Sequence, residues 1–240
     1  MKKQRFFWLA GAVCSFLFVT FALAAVILNA RSIETAANVP QIRTVIVDAG
    51  HGGFDGGTIA EDGTVEKEIN LSIAKRLCAL LQCAGLRTVM TRTGDDSIHD
   101  PSCSSVRMQK ISDIRNRLHI MEETENSVFV SIHQNHYSAS KYAGTQVFYS
   151  PNDARSEQLA HSIQASVVSL LQPDNTRRIK KTGTEIYLLY HAVRPAVMVE
   201  CGFLSNPEET QRLNTPMYQT QMAMAVMQGI LNFLQSTEEV

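Results

Sequence analysis

No C-x-x-C pair occurs in this chain, which removes a cysteine zinc site from consideration. The five cysteines, Cys14, Cys78, Cys83, Cys103 and Cys201, are odd in number and scattered. Cys78 and Cys83 fall five apart on an expected helix and point in different directions. Free, mostly buried thiols are expected rather than a disulfide framework. Internal repeats, low-complexity tracts and a second domain boundary are also lacking, so about 200 residues remain for one domain with a full core. The formal net charge of −1 falls to −4 once the leader cations Lys2, Lys3 and Arg5 are set aside. No basic run or aromatic-interleaved basic patch is expected on that balance, which excludes nucleic acid as a partner.

The stretch from Phe6 to Leu28 contains no charge. It is long enough to cross a bilayer as a helix and longer than a usual signal-peptide core, which favours an uncleaved anchor. Ala22-Leu23-Ala24 is an A-x-A cleavage site and favours removal. The three cations before it orient the N-terminus toward the cytoplasm. Either way the rest of the chain is expected to be extracytoplasmic. The expected organisation is a signal or membrane anchor over 1–28, a polar linker over 29–41 and one catalytic domain over 42–236.

What is present is a set of short apolar runs that end in chemistry. Arg43-Thr44-Val45-Ile46-Val47 leads into Asp48-Ala49-Gly50-His51. Ser127 to Ile132 leads into His133-Gln134-Asn135, and Pro195 to Val199 leads into Glu200-Cys201-Gly202. Val/Ile-rich runs separated by helical patterns read as buried parallel strands. Further strands are expected over 86–90, 144–149 and 185–190. Helices are expected from about 66, 105 and 153, and over 217–235. On the first of these, Ile69, Ile73, Leu77, Leu80 and Ala84 share one face. Asn206-Pro207-Glu208-Glu209 reads as a helix start with a capping asparagine and a capping-box acid. The predicted fold is α/β, a single domain with a mostly parallel sheet and helices on both faces. Its active site belongs at the carboxyl edge of the strands.

His51 sits among glycines that let the backbone turn sharply. A phosphate cradle is unsupported there, because Asp55 stands where a dinucleotide fingerprint needs glycine and the Lys-Ser/Thr of a P-loop is missing. Glu66 begins the first helix, where a carboxylate is ordinarily just a favourable first-turn acid. His133 taken alone is ordinarily structural as well. Two strand-end histidines on neighbouring strands with a nearby glutamate make a His₂Glu set, the pattern of a catalytic zinc site with its fourth position open. Glu200 ends a third strand at the same rim and suits a general base and then a general acid. His136 is not expected to be a ligand. His191 lies near the rim, and His99, His119 and His161 read as surface residues.

These segments together resemble the type-3 family of zinc-dependent N-acetylmuramoyl-L-alanine amidases. The matching stretches are Val45 to Gly53, Glu66 to Leu71, Thr91-Arg92, Val130 to Asn135 and Pro195 to Asn206. The resemblance implies one Zn²⁺ held by His51, Glu66 and His133, with Glu200 catalytic. The substrate would be peptidoglycan, cut between N-acetylmuramic acid and L-alanine. Arg92 and Asn135 would orient substrate or serve structure. The family usually has proline where this chain has Ala49, which should loosen the turn before His51. A leader, a bare catalytic domain and no wall-binding repeats are most like the short sporulation and germination amidases that form muramic lactam in spore cortex. An activating protein partner is left open. The competing readings are another exported zinc peptidase, such as a peptidoglycan carboxypeptidase, and a catalytically inactive wall-binding protein.

Overall fold

The computed structural model describes Ile42 and residues 44–238. The expected leader over 1–28 and linker over 29–41 lie outside the described residues. Among the described residues no helix is long and apolar enough to cross a membrane.

Val45, Ile46 and Val47 form the middle of strand β1 (Thr44–Ala49), every residue of which is buried. A strand covered on both sides needs apolar residues in both phases of the pleat, which is why this run does not alternate. Helix α1 (Glu66–Cys83) returns the chain to β2 (Arg87–Met90). Ser105 caps α2 (Val106–Glu123) by accepting from the Met108 N–H, and β3 (Ser127–Asn135) follows. Next come β4 (Gln146–Tyr149), α3 (Ala154–Leu170) with Asp153 as cap, and the two-residue β5 (Lys180–Lys181). A single helical turn, α4 (Tyr187–Tyr190), precedes β6 (Ala196–Phe203). The chain closes with α5 (Pro207–Leu213) and α6 (Pro216–Glu238).

The six strands run in the order β2-β1-β3-β6-β4-β5. β2, β1, β3 and β6 are mutually parallel, while β4 runs antiparallel to β6 and carries β5 parallel to itself. Alternate residues face opposite helical layers. Val45, Val47, Val128, Val130, Val197 and Val199 meet α1, α3 and α6. Ile46, Phe129, Ala196 and Met198 meet α2 and α4. Helices therefore cover both faces, as the sequence pattern predicts.

Two elements differ from the sequence expectation. The 185–190 segment is not a strand: its apolar residues form the α4 turn, with Leu188 and Leu189 packed onto the sheet. A short apolar run without flanking breakers has no periodicity to separate the two conformations. Glu209 does not close a capping box. Asn206 caps α5, but the Glu209 carboxylate accepts from the Phe203 N–H at 2.8 Å and from the Gly144 N–H at 3.1 Å. Of the described cysteines all are free; Cys78 and Cys201 are buried, Cys103 is half-buried and Cys83 is exposed.

At the carboxyl end of β1 lies a buried ion pair. Asp48 Oδ1 meets Arg117 of α2 at 2.6 Å, and both side chains are almost fully enclosed. Thr91 and Ser131 donate their hydroxyls to the same carboxylate. Burial alone would raise the Asp48 pKa, but the Arg117 charge and these hydroxyls hold it below the usual carboxylate range. Removing one partner of such a pair leaves an uncompensated buried charge. Arg117→Ala should therefore cost about 3–5 kcal/mol in urea denaturation at pH 7. A loss below about 1 kcal/mol, the scale of an exposed pair, would show that the pair does not hold this end of the sheet.

Candidate metal centre

β1 delivers His51 two residues past its end. His51 itself has φ 61°, inside the left-handed region that side chains rarely adopt. Two arginines fix the backbone that makes this turn. Arg92 donates to the carbonyls of Ala49 (2.9 Å), Gly50 (3.0 Å), Gly94 (2.8 Å) and Lys67 (2.8 Å). Arg117 donates to the carbonyls of Ala49 (2.9 Å) and His51 (2.7 Å). Arg92 thus spends its guanidinium on the loop backbone, and the Ala49 carbonyl is held from two sides. Gly50 is required by contact: a Cβ there would overlap the His133 ring.

α1 supplies Glu66 from its first position. Its carboxylate collects donors from several elements. Oε1 accepts from the Gln134 N–H (3.1 Å) and the Asn70 amide (3.2 Å), and Oε2 from the Thr58 N–H (2.8 Å). β3 supplies His133, whose Nδ1 lies 3.0 Å from Glu66 Oε1, while His51 Nε2 lies 3.3 Å from the same oxygen. The imidazoles meet edge to face with centroids 4.9 Å apart. One ligand atom from each of His51, Glu66 and His133 falls within 4.8 Å of the others, an arrangement able to hold a metal ion. The second nitrogen of His51 is tied to Asp55 Oδ2 at 3.0 Å, the carboxylate–histidine pairing that orients metal-binding imidazoles. Asp55, which breaks the phosphate fingerprint, is thus the residue His51 requires; sequence reasoning used it only as a negative.

Burial would lower the His51 pKa, but the hydrogen bonds and charges of Asp55 and Glu66 raise it to about 9. Burial would raise Glu66, and both histidines outweigh it and hold the carboxyl well below its usual range.

Glu200 is in direct register with His133 across β3 and β6. Its Oε2 is shut off from water and has no hydrogen-bond partner. Desolvation raises its pKa to about 7, helped by Glu66 and opposed by His133, His51 and Arg177. Asn135 ends β3, half-buried, and its carbonyl accepts from the Leu204 N–H. His136 is exposed and stands outside the His51–Glu66–His133 group. His191 stacks on Tyr187 with centroids 4.3 Å apart, while His119 and His161 are exposed and His99 is half-buried. Beside the histidines opens a cleft of about 230 Å³ between α2 and α4, lined by Ile114, Glu185, Tyr187, Leu188 and Met198 among others.

One feature of the charge pattern escaped the net balance. Arg177-Arg178-Ile179-Lys180-Lys181 is a basic run, and it lies on the β5 edge of the sheet. Four cations vanish into a near-neutral total because acids elsewhere offset them.

A mostly parallel α/β sheet carrying a His-Glu-His cluster at its rim, with an unpartnered glutamate beside it, has the make-up of a metal-assisted hydrolase. The chain matches the N-acetylmuramoyl-L-alanine amidase family over residues 45–232 and belongs to it. It is 34% identical over 191 residues to the germination-specific N-acetylmuramoyl-L-alanine amidase of Bacillus subtilis strain 168, covering 80% of this chain and 79% of that one. It resembles the CwlD amidase of Clostridioides difficile, solved in complex with the GerS lipoprotein, with TM-score 0.78 and 36% identity over 81% of this chain and 99% of that one. The amidase AmiC2 of Nostoc punctiforme gives TM-score 0.68 and 30% identity, covering 80% and 97%. The chain is therefore a peptidoglycan amidase.

Two outcomes are expected of the metal site. His51→Ala, Glu66→Ala and His133→Ala should each lower metal content and activity together, whereas His136→Ala should keep both. Full occupancy in the His133 variant, or equal loss in the His136 variant, would show a different ligand set. Metal uptake should also release a proton, because the proton on His51 competes with a cation for the ring. Affinity should rise about tenfold per pH unit below about 9 and level off above it. Calorimetry in buffers of different ionisation enthalpy reads this directly; a pH-independent affinity between 6 and 8 would mean that His51 binds no proton there.

Proposed function

We propose that this amidase is zinc-dependent, with His51, Glu66 and His133 as ligands and Glu200 as the catalytic residue. The observation that carries the reading is the convergence of those three side chains with Glu200 in register beside His133. Two imidazoles and one carboxylate form a donor set suited to zinc, and three protein ligands leave the open position of a catalytic site. Zinc in such a set supplies Lewis-acid chemistry, drawing charge from an amide carbonyl and making water a nucleophile near neutral pH.

The chain's own groups do the rest. Asp55 holds the His51 ring in one orientation and Arg117 holds its carbonyl. Three donors around Glu66, from Thr58, Asn70 and Gln134, fix its carboxylate before any metal arrives. Glu200 accepts the proton of the attacking water as oxygen adds to the lactyl carbonyl. The carbonyl–nitrogen bond to L-alanine then breaks, and Glu200 returns the proton to the departing amine. A carboxyl raised toward neutral pH by its dry surroundings suits both transfers. A bound cation would lower that value, so Glu200 works as the base first.

The proposed setting is outside the cytoplasm, reached by the charged and apolar leader over 1–28, which acts as signal or anchor. Similarity to the germination-specific enzyme supports a role in muramic-lactam formation in spore cortex. The relative solved with a lipoprotein supports a protein partner for this chain as well. Turnover by the purified domain alone separates a self-sufficient enzyme from one that needs such help. Deleting the gene should remove muramic lactam from cortex muropeptides; spores with normal lactam content would remove the cortex assignment.

The direct test is Glu200→Gln, which keeps shape but cannot take the proton. Zinc content should stay at the wild-type level while turnover falls by roughly 10²–10⁴. Mass spectrometry of wild-type digests should give stem-free glycan and peptides with a free N-terminal alanine. Wild-type turnover in the Gln variant would make Glu200 structural, and release of single C-terminal amino acids would favour a carboxypeptidase.

A further inference from the structure

The row of side chains beside the metal centre does not stop at Glu200. His133 is in register with Glu200, and Glu200 with Gln146 of β4. Register partners project from the same face, about 4.8 Å apart per strand. Gln146 Oε1 in turn accepts from Nη2 of Arg177. The Arg177 guanidinium rests on the Phe203 ring, 4.8 Å from its centroid. Its Nε is shut off from water and has no hydrogen-bond partner. Among the described residues Arg177 makes no ion pair. The carboxylates of Glu209 and Glu200 act on it from a distance, but Glu209 is spent on the backbone of Phe203 and Gly144. Lys180 stands behind it on the same face, its ammonium 5.6 Å over the Phe148 ring.

A guanidinium held over an aromatic ring, paired with no carboxylate and with one N–H lacking a partner, suits a carboxylate. The cleft on the other side of the centre is lined by acids as well as apolar groups, Asp55, Asp113 and Glu185 among them, and its Arg117 is already paired with Asp48 and Asp113. An anionic group is repelled from that side and drawn to this one. The reach also fits. The departing amine faces Glu200, and one further residue of extended peptide advances about 3.4 Å. That carries the residue after alanine toward the neighbouring strand, where Gln146 and its partner Arg177 stand.

We propose that Arg177 is the specificity residue for the stem peptide, binding a free carboxylate on the residue that follows the alanine. The stem then crosses β6 toward β4 and β5, and the glycan lies over the α2–α4 cleft. The inference rests on the proposed amide cleavage at the His51–Glu66–His133 centre. Its readout is a ratio between two substrates on one enzyme preparation, which partial metal loss scales equally and leaves unchanged.

The experiment uses the zinc-loaded enzyme and uncrosslinked glycan strands in two forms. In one the second stem residue is isoglutamate; in the other it is isoglutamine, which replaces the carboxylate by a neutral amide. The wild type should favour the acid form by roughly 10–100-fold in kcat/KM, the scale of a charge-assisted hydrogen-bonded pair, with the difference in KM. Arg177→Gln should bring the ratio close to one. Arg177→Lys, which keeps the charge but loses the fork, should leave an intermediate ratio, and it serves if the Gln variant does not fold. A wild type indifferent to the amide, or variants that retain the wild-type ratio, would overturn the proposal. Equal loss on both substrates counts as retention and would reduce Arg177 to a brace for Phe203.

Discussion

The buried pair between Asp48 and Arg117 is the constraint on which the site depends. Asp48 is the penultimate residue of β1 and is fully buried. A carboxylate in that position demands a cation, and Arg117 answers it from α2, the helix on the face of the sheet that Asp48 shares with Ile46. The same guanidinium reaches the Ala49 and His51 carbonyls, so the charge that Asp48 requires also fixes the path of the chain to His51. Arg92 works from the other side on the same backbone. A left-handed histidine is a strained residue. It persists here because two arginines and a contact between Gly50 and His133 determine it from outside.

Around that loop the site is built by gathering donors onto one carboxylate. Glu66 comes over the sheet edge from the α1 layer, while His133 and Glu200 belong to the α2 face. Both imidazoles point at the same oxygen of Glu66, and neighbouring amides hold both of its oxygens. Glu200 has none of this support. Its two glutamate roles differ for that reason: a carboxylate surrounded by donors stays charged, and one left dry beside another acid is poised to take a proton.

His51, Glu66, His133 and Glu200 could be picked out as candidates because each follows an apolar run or opens a helix, and a parallel sheet delivers strand ends to one rim. The sheet class and most helix limits followed from the same periodicities. What was not legible had no local signature. Arg117 lies mid-helix, four residues after Asp113, and nothing in that spacing names Asp48 as its partner. Tyr187 to Tyr190 is apolar enough for a strand but too short to declare a period, and packing made it a helical turn. Glu209 fits a capping box by spacing, yet the N–H groups of Phe203 and Gly144 claim it. The basic run at 177–181 was in plain view, but a net charge averages over the whole chain and conceals where its cations gather.

By itself the sequence determined which residues could carry metal and proton chemistry and which strands would deliver them, because burial and the two-residue pleat are written locally. Tertiary structure decided who meets whom. It chose Glu66 as the common partner of both histidines, Asp55 as the orienting group for His51, and the antiparallel β4 that extends the His133–Glu200 row to Gln146 and Arg177. Those pairings join residues far apart in the chain, and their energies depend on distance and dielectric, which only the folded arrangement sets.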